Sequence, residues 1–242
     1  MEQGDATPSL IDEALFRPVR TGNAFEDTFA RLLQAIRLGA VGPGESLPAE
    51  RDLAQRFAVS RDTVRDALKE LAAAGYIVSR RGRYGGTFVA DVLPVVAPDA
   101  PVVLAAEEID DVLGLREILE VGAARAASRR SLTGPERDAL WQRLSEVAAA
   151  GPDDYRRLDS RLHLTIAELS GVPSLVSLVA DARYRVNELL DRIPLLTPNI
   201  AHSNDQHEVM VAAILRGDED AAAAATLEHL EGSAALLRGF LG

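Results

Sequence analysis

The chain has 242 residues, 47% of them apolar and only 5% aromatic, with a formal net charge of −11 and no cysteine. That length and apolar content suit one large folded domain or two ordinary ones and argue against disorder of the whole chain. Without cysteine there are no disulfides, no thiolate catalysis and no cysteine-held zinc, so any metal must be held by His, Asp or Glu.

The abundance of Ala, Leu, Arg and Glu predicts a mainly α fold. No uninterrupted apolar run reaches about 18 residues, and the first residues lack the basic-then-apolar layout of a leader, so a cytoplasmic protein with no membrane partner is expected. Residues 1–19 are polar, with Pro8 and Pro18, and read as a flexible N-terminal arm. From Ala24 to Leu38 the residues Phe25, Phe29, Leu32, Leu33 and Ile36 recur at helical steps, and Gly39 and Gly42-Pro43-Gly44 end the run. A second helix is predicted from about Ala49 to Phe57. The short Ala58-Val59 turn then leads to Ser60, an N-cap for a third helix from Arg61 to Ala74, with Gly75 closing it. Tyr76–Val78 and Thr87–Val89 are β-prone runs flanking Arg80-Arg81-Gly82-Arg83-Tyr84-Gly85-Gly86, a hairpin with a basic, glycine-rich tip.

Two helices, a short turn and a following hairpin make a winged helix-turn-helix, here assigned to residues 20–90. The negative net charge conceals an asymmetry that suits a nucleic-acid partner. Residues 20–90 carry 11 Lys and Arg against 8 Asp and Glu, a net +3, whereas residues 107–242 carry 14 against 23, a net −9. Arg61 and Arg65 lie four apart at the start of the third helix, where they can reach base edges or phosphate, and Arg51 lies on the helix before it. Ser60 and Thr63 add hydroxyl donors for the DNA backbone, and Arg81 beside Gly82 can approach a minor groove or phosphate. The same arginines can also pair with neighbouring acids such as Glu50 and Asp52.

Residues 91–107 contain Pro94, Pro98 and Pro101 and read as a linker. Beyond it, helices are predicted at about 108–131, 135–150, 153–170, 173–192, 199–216 and 218–238, an all-α antiparallel bundle over residues 108–242. Asp159 and His163 are spaced i,i+4 and share a helix face, as two ligands of one metal require, while His207 and His229 lie on the last two helices. If those two histidines point inward from their helices, four N/O donors from three helices can form a closed cage for a divalent transition metal. His202, five residues before His207, is rotated off that face and is left out of the set.

Leu47-Pro48-Ala49-Glu50-Arg51-Asp52-Leu53-Ala54, followed by Val59-Ser60-Arg61-Asp62-Thr63-Val64-Arg65-Asp66-Ala67-Leu68, Leu71 and Gly75, closely resembles the DNA-binding domain of GntR-type regulators. Arg116-Glu117-Ile118-Leu119-Glu120, Asp159-Ser160-Arg161-Leu162-His163, His207, Gly217-Asp218 and His229 resemble the FCD effector domain of the FadR-like branch of that family. The resemblance implies a dimer that binds double-stranded operator DNA, with Arg51, Arg61 and Arg65 at the operator and Gly82 at the wing tip. It also implies a metal held by Asp159, His163, His207 and His229, zinc or nickel being the usual occupants.

A small organic acid is the expected effector, its carboxylate near the metal and near Arg116, which the resemblance places at the effector cavity, with Glu120 one turn on orienting that arginine and Arg183 and Asn187 on the opposite wall. A transcriptional repressor, not an enzyme, is the leading expectation. An acyl-CoA-responsive regulator without metal and a metal-dependent enzyme are the alternatives. The metal either contacts the effector or only pins the helices together.

Overall fold

The computed structural model describes residues 9–19, 24–82, 85–94 and 105–241. The chain divides into two compact units, Met1–Val95 and Val96–Gly242.

The first unit opens with α1 (Leu10–Leu15), where an arm without regular structure was expected. Ser9 caps it by accepting from the Asp12 amide, and Ile11, Ala14 and Leu15 follow the i, i+3, i+4 rhythm that buries one face. Phe16, just after it, lies 5.8 Å from the ring of Phe57 and within cation–π reach of Arg56. A six-residue helix between Pro8 and Pro18 is too short to stand alone. It persists because its apolar face is covered.

Helices α2 (Ala24–Arg37), α3 (Glu50–Phe57) and α4 (Arg61–Ala73) pack around Leu32, Ile36, Leu53, Phe57, Val64 and Leu71, all fully buried. Between α3 and α4 the chain turns through Ala58 at φ 56°, whose amide bonds the carbonyls of Ala54 and Gln55. Ser60 then caps α4, its Oγ accepting from the Thr63 amide at 3.0 Å. Gly75, at φ 82°, ends the helix in a conformation that a side chain would strain. Ser60→Ala is expected to lower the stability of this unit by about 1 kcal/mol, read as a shift in the urea midpoint with an unchanged slope.

Strands β1 (Ile77–Arg80) and β2 (Gly86–Val89) pair antiparallel, Ile77 opposite Val89 and Arg80 opposite Gly86. The other edge of β2 is also occupied. The Leu47 amide bonds Thr87 O at 2.8 Å and the Val89 amide bonds Glu45 O at 2.9 Å, so the wing is fastened to the segment that precedes α3. The sheet is therefore not an isolated hairpin, which would be marginal in water.

The second unit is helical throughout its described residues: α5 (Ala106–Ser128), α6 (Gly134–Ala148), α7 (Pro152–Leu169), α8 (Pro173–Leu190), α9 (Thr197–Arg216) and α10 (Glu219–Leu241). Thr133 and Glu136 close a reciprocal capping box at the start of α6, and Gly217 at φ 75° ends α9. Ile109, Val112 and Leu113 of α5 pack with Val186 and Leu189 of α8 and Ala234 and Leu237 of α10 in one apolar cluster. That cluster fixes one end of the bundle. A polar site lies further along the same helices.

Candidate functional site

On α7, Asp159 and His163 face inward one turn apart, as their spacing predicts, and α9 and α10 bring His207 and His229 to them. All four side chains are buried, and one donor atom from each lies within 4.8 Å of the others. His207 Nε2 is 3.1 Å from Asp159 Oδ1 and 3.3 Å from His229 Nε2, and His163 Nε2 is 3.8 Å from the same carboxylate oxygen. Metal–ligand bonds of about 2.0–2.2 Å place neighbouring donors of a tetrahedron roughly 3.3 Å apart, so these separations fit one small divalent ion.

The protonation pattern points the same way. His163 Nδ1 lies 2.5 Å from Glu120 Oε2 and donates to it, which leaves Nε2 as a bare lone pair. That Nε2 is buried without a hydrogen-bond partner, aimed at a carboxylate and two further imidazoles. Such an arrangement can bind a cation. Burial pushes His163 down to about 4, helped by the Arg183 guanidinium, and burial with the neighbouring His207 and His163 rings holds His229 well below the ordinary histidine range. Both rings are neutral near pH 7, the form that binds metal.

Around the quartet lies a buried set of charges. Glu120 accepts from Arg116 Nε at 3.0 Å and from Arg183 Nη1 at 3.1 and 3.2 Å. Arg183 Nη2 donates to Asp159 Oδ2, and Arg116 Nη1 donates to Ser233 at 2.7 Å. Burial alone would raise both carboxyls. The guanidinium groups outweigh it, Arg183 and Arg116 for Glu120 and Arg183 for Asp159, and hold each well below the usual carboxylate range.

A cavity of about 330 Å³ opens on this cluster, with Arg116, Asp159, Asn187 and His229 on its wall. Of the four residues expected at an effector, Arg116 and Asn187 therefore line it. Glu120 and Arg183 do not. Arg183 is 1% exposed and clamped between the buried carboxylates of Glu120 and Asp159, which draws it away from the wall where it was expected. Glu120 does hold Arg116, as expected, but it also fixes the tautomer of His163. Asn187 donates to Ser160, whose own hydroxyl is spent on the Arg156 carbonyl. His202 is exposed and reaches the cavity mouth, not the quartet.

Tyr155, Ser203 and Ser233 also line the cavity and were not singled out from the sequence. A signal was available, since each lies four residues from a member of the Asp/His quartet and so one turn along the same face. Burial together with the nearby Asp159 charge pushes the Tyr155 hydroxyl up, so it is neutral.

In the first unit Arg51, Arg61 and Arg65 are exposed on α3 and α4. Arg51 contacts Asp52 at 3.3 Å, and Arg65 contacts Asp62 at 2.9 Å and Glu50 at 3.4 Å, whereas Arg61 has no ion pair among the described residues. Exposed pairs of this kind are weak and exchange readily for phosphate. Ser60 and Thr63 share a hydroxyl hydrogen bond of 2.8 Å, so one of their two protons remains available. On the wing, Arg80 stacks over Phe88 at 4.4 Å, while Arg81 and Gly82, the latter at φ 110°, are exposed at the tip. Arg83 lies outside the described residues.

Residues 25–89 match the family described as bacterial regulatory proteins, gntR family, and residues 111–232 match the FCD domain. A protein of Escherichia coli K12, provisionally named L-lactate dehydrogenase operon regulatory protein, is 30% identical over 226 residues, covering 88% of this chain and 84% of that one. The transcriptional regulator LutR of Bacillus subtilis is 26% identical over 215 residues, covering 85% and 97%. In fold, the chain is similar to E. coli McbR/YncC, with a TM-score of 0.57 at 19% identity over 90% of this chain and 99% of that one. The relatives are regulators of transcription, which places this chain with regulators and not with enzymes. No described helix is long and apolar enough to cross a membrane. The chain belongs to the GntR family of bacterial regulatory proteins, a transcriptional regulator whose C-terminal half is an FCD effector domain.

Proposed function

We propose that the protein is a homodimeric, acid-responsive repressor in which residues 20–90 bind a palindromic operator, residues 91–107 link, and residues 108–242 sense a small carboxylate. The observation that carries this reading is the cavity of about 330 Å³ that opens directly on Asp159 and His229 with Arg116 on its wall. Asp159, His163, His207 and His229 hold a divalent transition metal, zinc or nickel. Once bound, that ion supplies a positive pole on which a carboxylate oxygen can rest. Arg116, kept in place by Glu120 and Ser233, orients the second oxygen, and Asn187 borders the same space. The name of the E. coli relative, tied to an L-lactate dehydrogenase operon, agrees with an acid as the signal.

At the operator, the N-terminal part of α4 enters the major groove with Arg61 and Arg65, Arg51 supports it from α3, Ser60 and Thr63 contact backbone, and Arg81 and Gly82 reach phosphate or the minor groove. Acid binding repacks the helices around the cavity and so changes the spacing of the two DNA-reading helices across the dimer. Gel-shift titration on the protein's own upstream region tests the reading. Release of the wild-type protein by a carboxylate, with Arg116→Ala bound to DNA but unresponsive, is the expected result. An upstream region that gives no specific shift at moderate salt sinks it.

Arg61→Ala is expected to weaken operator binding by about 1–3 kcal/mol if it reads a base. If it meets only phosphate, binding to all sequences weakens alike and the slope against log salt falls by about 1. Titrations at two salt concentrations separate the two outcomes.

A further inference from the structure

The cavity is layered, and its layers follow from helix geometry. Its floor is the ligand pair Asp159 and His229 with Arg116. One turn away come Tyr155 on α7, Ser203 on α9 and Ser233 on α10, a collar of hydroxyl groups. A further turn out, Ile200 on α9 and Leu236 on α10 line the cavity together with Leu190 at the end of α8 and Leu195 in the segment that follows, Leu190 and Leu236 resting with their other sides on the apolar cluster of α5, α8 and α10. These four apolar side chains are all only half-buried. Ile200 stands seven residues before His207, and Leu236 seven after His229. At about 1.5 Å rise per residue the apolar layer therefore lies roughly 10 Å from the floor. Asn199 and His202 border that layer on α9, and His202 keeps contact with solvent at the mouth.

A three-carbon acid held at the floor would leave the cavity-facing side of that outer layer in water. We propose that the acid recognised here carries an unbranched or aryl apolar tail, reaching from a carboxylate at the floor to Leu190, Leu195, Ile200 and Leu236. An extended chain advances about 1.2 Å per bond, so a span of roughly 10 Å corresponds to about eight bonds, the length of a medium-chain acid. Half-buried apolar residues that converge at a cavity mouth gain most from an apolar occupant, and the gain per methylene is what distinguishes this occupant from a short hydroxy acid. The inference rests on the reading of the floor as a carboxylate site.

Titration calorimetry on the metal-loaded full-length chain with acetate, butyrate, hexanoate and octanoate tests it, with gluconate as a hydroxylated acid of the same carbon count as hexanoate. Affinity is expected to rise by up to about fourfold per methylene, and at least about tenfold from butyrate to octanoate. Octanoate is expected to bind more tightly than gluconate. Ile200→Asn and Leu236→Asn, with metal content and melting temperature checked against wild type, are expected to flatten the rise while acetate affinity stays the same. Equal affinity across the four acids, or gluconate tighter than octanoate, overturns the apolar tail and leaves the carboxylate site standing. If no acid, acetate included, binds the metal-loaded protein, the carboxylate reading falls and the tail with it. A rise with chain length that both variants retain overturns the assignment to this layer.

Discussion

Glu120→Ala is expected to destabilise the effector domain by about 3–5 kcal/mol, a large share of what holds a domain together. The carboxylate is 3% exposed and joins three partners, Arg116, Arg183 and His163. Taking it away leaves two buried guanidinium groups with Asp159 as the one buried carboxylate between them, and Arg116 keeps only the Ser233 hydroxyl. An uncompensated buried cation is costly because the protein interior cannot replace the water it has lost. Glu120→Gln keeps the shape and one acceptor oxygen but removes the charge, so a smaller loss is expected, with His163 free to adopt the other tautomer. Urea unfolding followed by circular dichroism measures both. A loss below about 1 kcal/mol for Glu120→Ala would mean that the two arginines find water or move, and that the network contributes little to the fold.

What could be read from the sequence was local. Ser60 as a cap, Gly75 as a terminator and Asp159 with His163 on one face are all decided within a few residues, where φ, hydrogen bonding and helical period act directly, and the structure has each of them. His207 and His229 fall on the last two helices by pattern, but their joining Asp159 and His163 rested on resemblance, since no local rule says which way a distant helix turns its histidine. Arg183 shows the limit clearly. Its partners Asp159 and Glu120 are 24 and 63 residues away, and nothing in the run around α8 reveals that two buried carboxylates will draw its guanidinium inward. Helix α1 escaped notice for another reason. Six residues between prolines hold a single i, i+3, i+4 repeat, too short to mark a helix that would stand alone, and it is kept by the buried surface that Ile11, Leu15 and Phe16 find. The cavity could not be read at all, because a void forms where side chains fail to meet, and only the positions one and two turns from the ligands hint at its lining.

Removal of the proposed metal by a chelator is the second large effect expected. With free zinc or nickel at a hundred times its dissociation constant, binding to the native state alone adds about 2.7 kcal/mol. For a chain of this size that corresponds to a fall of roughly 8 °C in melting temperature on adding chelator, at about 3 °C per kcal/mol. Elemental analysis is expected to find one equivalent per chain. His207→Ala should abolish the chelator-dependent shift, because His207 Nε2 faces both Asp159 and His229 and its removal opens the quartet on the α9 side. His202→Ala, on the same helix but exposed, should retain it. A wild-type protein with no metal and no response to chelator would return the cluster to a buried hydrogen-bond network. The same pair of proteins separates the two roles a metal can have here. If the ion only pins α7, α9 and α10 together, chelated protein melts earlier but still binds acid through Arg116. If the ion also receives the carboxylate, acid affinity and thermal stability fall together.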